Sequence, residues 1–275
     1  MNTTRSFSAS ALLVGWLLAG IGWSAKPDVQ IQHPLEPVLR QAHDLLQRLE
    51  TVEDYTCTIV RRERIGEKLQ DYEWIFAKLR HERGPDVTGE SPVSAYLQFL
   101  GPEDVAGREV IYRPAAYGNK LIVRRGGTRF AYVTTSITPD GELAMQNSRY
   151  PITAIGLKNL LNRLIEVGEE DISRGECIVE YFPGAKVDAR LCTLIRVTHP
   201  YRRPYFRYHK ADIFVDDALQ APVRFASYDW PDKEGGEPCL LEEYTYTDLR
   251  FNVGLSDRDF DYRNSEYGFR KDYQP

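Results

Sequence analysis

The chain has 275 residues, 35 Lys and Arg against 40 Asp and Glu, a formal net charge of -5, and 12% aromatic side chains. That length suffices for one large β domain or two small ones. The mildly acidic, interspersed charge argues against nucleic acid as a partner, because phosphate binding needs a concentrated basic surface.

The first 25 residues carry one charge, Arg5, then the apolar run Ala11 to Trp23, with the small residues Gly20, Gly22, Ser24 and Ala25 at its end. This is the order of regions in a secretory signal peptide. The run is shorter than the ~20 residues that span a bilayer, and the polar Lys26-Pro27-Asp28 follows it. The expectation is a cleavable signal peptide over residues 1–25, a single domain over 26–275, periplasmic or secreted localisation, and no permanent membrane span. Cleavage would remove Arg5 and take the net charge to -6.

All four cysteines, Cys57, Cys177, Cys192 and Cys239, follow the leader, and an oxidising compartment permits disulfides. Cys177 and Cys192 lie in apolar runs on either side of Pro183-Gly184 and are the best candidates for a pair. Buried reduced thiols are the alternative. There is no Cys-x-x-Cys, and the five histidines are scattered, so neither a metal nor a cofactor is expected.

Along the chain, Leu35, Val38, Leu39, Ala42, Leu45, Leu46, Leu49 and Val52 recur at helical spacing, predicting a helix of about five turns. Strand character follows at Tyr55 to Arg64 and Asp71 to Arg83, joined by a turn at Gly66-Glu67, and then at Ser94 to Leu100, Arg108 to Arg113, Lys120 to Arg125 and Arg129 to Thr134. Neighbours this close in sequence should pair antiparallel. After Pro151, the positions Leu157, Leu160, Leu161, Leu164 and Ile165 predict a second amphipathic helix, ending at Gly168. Strands then resume at Cys177 to Phe182, Leu191 to Thr198, Tyr205 to Val215, Pro222 to Trp230 and Leu240 to Phe251. The pattern predicts an α+β fold, one long antiparallel sheet with helices covering one face.

Motifs for chemistry are missing. There is no Gly-x-Ser-x-Gly elbow, His-Glu-x-x-His, phosphate-cradling Gly-x-x-x-x-Gly-Lys or dinucleotide fingerprint. The pairs Asp216-Asp217 and Glu242-Glu243 fall in or beside strands, where neighbours point to opposite faces, so neither is a ready acid/base couple. The chain is therefore expected not to be an enzyme. The stretch His199 to Arg207 could hold an anionic headgroup through its arginines and tyrosines, or be an exposed loop between strands.

The segments Ile213-Phe214-Val215-Asp216 and Ala221-Pro222-Val223-Arg224 resemble the strand, turn and strand of the LolA/LolB-type periplasmic lipoprotein carriers. Tyr244 to Leu249 and Asn252 to Phe260 are similar to the carriers' final strand and closing segment. The whole chain after the leader resembles the bacterial family known as domain of unknown function 1571, to which Tyr96 to Pro102 and Gly107 to Val110 add likeness. The resemblance implies a strongly curved antiparallel sheet, a half-barrel, with helices packed in its concave side and an apolar cleft for acyl chains. The expected function is a non-enzymatic exported carrier or sensor of the cell envelope that binds a lipid or lipidated protein. The alternative is a cell-envelope protein interaction module with a self-filled core and no ligand. The candidate cleft residues are Trp74, Phe76, Leu97, Phe99, Leu157, Leu161, Phe206, Phe214, Tyr228 and Trp230.

Overall fold

The computed structural model describes residues 33–82, 91–129, 131–233 and 235–275, so the expected signal peptide lies outside the described residues. Helix α1 (Glu36–Leu49) comes first, with Pro37 in its opening turn, where a missing N–H breaks no intrahelical bond. Strands β1 (Asp54–Ile65), β2 (Lys68–Leu69), β3 (Glu73–His81), β4 (Val93–Gly101), β5 (Glu109–Tyr112), β6 (Leu121–Arg124) and β7 (Thr134–Ile137) follow. A short helix α2 (Glu142–Met145) and the long α3 (Leu157–Arg174) interrupt them. The second run is β8 (Ile178–Val187), β9 (Arg190–Thr198), β10 (Lys210–Asp216), β11 (Ala221–Asp229) and β12 (Cys239–Phe251).

All strands join one sheet in the order β7-β6-β5-β4-β3-β1-β12-β11-β10-β9-β8, with β2 attached to β1. Every pairing is antiparallel. Among the described residues the one ladder that is distant in sequence is β1 with β12, which welds the two strand runs together in the register Ile59 to Tyr246. The two edges, β7 and β8, are consecutive in the chain and do not pair, so the sheet stays open. The segment between them must travel from one edge to the other, and it does so across one face, carrying α3 with it. Ile137 on β7 and Ile213 on β10 line one common cavity. On a flat sheet those strands would stand about 38 Å apart, at ~4.8 Å per strand, so the sheet is bent into a half-barrel.

The concave side holds the larger core, in which Leu45, Leu49, Leu157 and Leu161 of the helices pack on Ile59, Ile75, Ala77, Leu97 and Phe99. The convex side of β3 to β6 is covered by the chain's C-terminal segment, where Phe260, Tyr262, Tyr267 and Phe269 pack with Tyr96, Ile111 and Ile122. Asp54 directs the chain there: its buried carboxylate accepts the backbone N–H groups of Val253 at 2.7 Å, Gly254 at 3.2 Å and Leu255 at 2.8 Å. Residues His33–Pro275 form one compact unit.

Several boundaries differ from the sequence-based expectation. Helix α3 does not stop at Gly168 but continues to Arg174, and Gly175 closes it in the left-handed region at φ 65°. Gly168 instead marks the crossing with α1, since a Cβ there would lie 2.7 Å from Leu39 Cδ2. Pro183-Gly184 is not the hairpin turn. The strand absorbs them in a bulge between Phe182 and Ala185, and the turn is made by Asp188 and Ala189 at φ 47° and 62°. Strand β7 starts at Thr134, not at Arg129, because Gly126 and Gly127 dock on the loop before β5: a Cβ on Gly126 would lie 2.3 Å from the Val105 carbonyl oxygen. Strand β10 starts at Lys210, not at Tyr205, and residues 199–209 form a loop closed by the His199 N–H donating to the His209 carbonyl at 2.7 Å.

The expected Cys177–Cys192 pair is also corrected. All four cysteines are free. Cys192 stands opposite Ala185, while Cys177 precedes Ile178, which pairs with Thr198, so the two thiols lie at opposite ends of the β8/β9 hairpin. The bulge and the displaced turn shifted the register on which that pairing depended.

Candidate functional site

A cavity of about 840 Å³ lies between the concave face and the helices. Its floor is built by alternation: Ile59 and Ile75, Leu97 and Phe99, Val110, Leu121 and Val123 all point inward from successive strands. Its roof is Leu35, the apolar face of α1, with Val38, Leu39 and Ala42, and that of α3, with Leu160, Leu161, Leu164 and Val167. A smaller pocket of about 180 Å³ adjoins it between Leu45, Leu49, Leu157 and Leu219.

The wall changes character towards the far ends of β1 and β12. There the inward positions are Arg61 and Glu63 on β1 and Glu242 and Tyr244 on β12. Arg61 donates from Nε to Glu73 at 2.7 Å and from Nη1 to the Ser148 hydroxyl at 3.1 Å. Glu63 accepts from the Tyr244 hydroxyl at 2.5 Å and from the Arg149 backbone N–H at 2.9 Å. Glu242 accepts from Arg149 Nε at 3.1 Å, Tyr150 at 3.1 Å and the Ser227 hydroxyl at 3.0 Å. Burial opposes the charge of Arg61, but Glu63 and Glu73 outweigh it and raise the guanidinium pKa. Burial, then Glu63 and Glu242, pushes the Tyr244 phenol far up, so it remains a donor. The network ties Ser148, Arg149 and Tyr150 to the sheet, so the chain between α2 and α3 is pinned over the polar end of the cavity.

Of the residues predicted to line a cleft, Leu97, Phe99 and Leu161 border the large cavity and Leu157 the small one. The other six lie elsewhere. Trp74 is exposed on the opposite face, and Phe76 packs on the C-terminal cluster. Phe214 lies under Arg224 at 5.4 Å, Tyr228 beside Lys210 at 4.1 Å, Trp230 against His209 at 5.5 Å, and Phe206 stacks on His199 at 3.8 Å. Strand alternation explains Trp74, Phe76, Phe214 and Tyr228, since Ile75, Ile213 and Ser227 take the inward positions and their neighbours turn away, while Phe206 and Trp230 lie outside the strands.

Sequence reasoning missed the polar network. Its signal was present in β12, where Glu242, Tyr244 and Tyr246 share one parity, while Glu243 meets Tyr72 and Arg224 on the other face. The arginines of the 199–207 stretch are already neutralised: Arg203 pairs with Glu176 at 2.9 Å and Arg207 with Glu166 at 2.8 Å. Among the described residues no group of three or more His, Cys, Asp or Glu is arranged to hold a metal, and no helix is long and apolar enough to cross a membrane.

With this geometry in place, a family model, "Protein of unknown function (DUF1571)", matches residues 52–269. The chain belongs to the DUF1571 family. The matched span runs from just before β1 to the end of the convex-face cluster, so this DUF1571 chain carries the whole sheet within the family region. A search of curated proteins finds no match. Among solved structures, a DUF1329 family protein from Desulfovibrio piger is similar at 16% identity and a TM-score of 0.39, over 84% of this chain and 98% of that one. A putative outer membrane lipoprotein-sorting protein domain from Vibrio parahaemolyticus matches at 14% identity and a TM-score of 0.36, over 81% and 95%. A LolA superfamily protein from Nitrosomonas europaea matches at 11% identity and a TM-score of 0.32, over 80% and 97%.

Proposed function

We propose that this protein is an exported carrier or sensor of the cell envelope that shelters an apolar ligand, a lipid or the acyl chain of a lipidated protein, in its concave cavity. The observation that carries the reading is the cavity itself, about 840 Å³ floored and roofed by apolar side chains. Its volume falls in the range of small-molecule sites, and each methylene buried there would contribute roughly 0.8 kcal/mol. Export by a cleavable leader over residues 1–25 is part of the proposal, supported by the charge and apolar pattern of that segment. The mechanism is reversible and non-enzymatic: acyl carbons enter between α1, α3 and the floor and leave by the same route.

Native mass spectrometry of protein purified gently from its own envelope tests this. A bound mass released on denaturation and identified as a lipid supports the carrier reading. A bare protein mass, together with failure to take up a fluorescent acyl probe, overturns it in favour of an interaction module without a ligand.

A further inference from the structure

The last turns of α3 hang on one buried contact. Of the described residues between Gly168 and Gly175 only Asp171 is buried, and its carboxylate meets His199 just past the end of β9. The other ties of this stretch, Arg207 to Glu166 and Glu170 and Arg203 to Glu176, are ion pairs at the surface, which hold little. The stretch closes one end of the cavity, where Gly168, Asp171, Val197, Tyr208 and Ala211 line the wall.

The contact needs a proton of its own. His199 Nδ1 lies 2.9 Å from the Tyr208 carbonyl oxygen, which can only accept, so that nitrogen carries a proton. Nε2 lies 3.0 Å from Asp171 Oδ1, and the Tyr208 hydroxyl donates to Oδ2 at 3.1 Å. A second proton must therefore sit between Nε2 and Oδ1, as imidazolium with carboxylate or as imidazole with carboxylic acid. Without it two lone pairs face each other, and a buried carboxylate has lost its partner. The groups around the pair stay as they are: burial, then Asp171, raises the Tyr208 phenol far up and the Cys177 thiol to about 11, so both remain neutral. Phe206 stacks on the His199 ring at 3.8 Å. His33 reaches the Cys177 sulfur at 3.7 Å, His209 the His199 carbonyl oxygen at 2.9 Å, and Arg207, near Tyr208, is held by Glu166 and Glu170.

We infer that His199 and Asp171 share one proton that latches the end of α3 onto the sheet, and that its loss as pH rises releases those turns and opens this end of the cavity. Stability supplied by a proton held only in the folded pair is present at lower pH and lost as pH rises through its release. The latch goes beyond the carrier reading and is tested without a ligand. Amide hydrogen exchange of the purified protein, corrected for the intrinsic effect of pH, reports it at residues 169–175, where the Gly175 N–H donates to the Asp171 carbonyl at 3.0 Å. Protection there should fall at least about tenfold between about pH 6.5 and about pH 9.5, while amides of β1 and β12 keep theirs. Asp171→Asn should hold α3 closed at both, because its amide can donate to a neutral Nε2 while its oxygen still accepts from Tyr208. Asp171→Ala should leave α3 open at both. The ring nitrogens of His199 in the parent should shift in NMR spectra across the same range.

Protection that is unchanged between the two pH values, His199 ring signals that do not move, or the same fall in Asp171→Asn would each overturn the latch. A fluorescent acyl probe should enter the parent at least about fivefold faster at the higher pH, and Asp171→Asn at one rate throughout. Equal rates in the parent, with protection lost, would overturn the gating of the cavity. Uptake at neither pH would remove the apolar-ligand reading instead, and the exchange result alone would then decide the latch.

Discussion

His199 Nε2 lies 3.0 Å from Asp171 Oδ1, and this contact joins the last turns of α3 to the end of β9. The other ring nitrogen is 2.9 Å from the Tyr208 carbonyl oxygen, and the Tyr208 hydroxyl donates to Asp171 at 3.1 Å. Both side chains are buried, His199 fully. Replacing Asp171 with Ala leaves a ring nitrogen and a phenol without partners, and a buried polar group stranded in this way costs about 1–3 kcal/mol. Chemical denaturation should show a loss of that size or somewhat more, whereas Glu169→Ala, in the same helix but exposed, should fall within about 0.5 kcal/mol of the parent.

The α1/α3 crossing is set by Gly168 against Leu39. Ala there gains about 1 kcal/mol of helix propensity but must displace a leucine methyl, so the two effects nearly offset. Leu at position 168 cannot be absorbed and should cost about 1–3 kcal/mol by overpacking. Thermal melts of the two variants check the contrast.

Inward and outward faces of the sheet should separate in binding. Leu97→Trp fills part of the cavity and should weaken uptake of an acyl probe by about tenfold. Trp74→Ala removes an exposed ring from the opposite face and should leave uptake unchanged. Equal effects from both would count against the concave cavity as the binding site.

The convex cover should be acid-labile. Asp257 accepts from Arg80 at 2.9 Å and Arg113 at 2.7 Å, and those hydrogen bonds hold its carboxyl below the usual range. Burial pushes Asp259 up, but Lys78 at 2.7 Å and Ser256 outweigh it and its pKa is also lowered. A depressed folded pKa contributes stability that is present above the unfolded value and lost as pH falls through the folded one. The loss should therefore develop below about pH 4. Near-ultraviolet dichroism of the Tyr96, Tyr262 and Tyr267 cluster should report it, and Asp257→Asn with Asp259→Asn should flatten the acid limb.

Cys57 and Cys177 should be inert in the native state. Burial pushes Cys57 up to about 12, and burial followed by Asp171 pushes Cys177 up to about 11. At about pH 8 both should alkylate at least about a hundredfold more slowly than in denatured protein, read residue by residue by mass spectrometry.

Local pattern in the sequence was enough for most of the antiparallel strands, for α1 except that it is 14 residues rather than about five turns, and for the start of α3, because apolar spacing at periods of two and near four is a property of neighbouring residues. It also marked Leu97, Phe99 and Leu161 as apolar positions that now border the cavity. It could not say which face of a strand becomes concave. Trp74 and Ile75 are equally apolar neighbours, and only the curvature of the sheet and the path of α3 from β7 to β8 decide that Ile75 turns inward. Gly168 reads as a helix stop until α1 is seen against it, and Pro183-Gly184 as a turn until the β8/β9 register shows a bulge. The pairing of Arg61 with Glu73 was likewise decided by strand register. Charge partners are chosen by which strands lie side by side, and that choice is made by packing across the whole sheet.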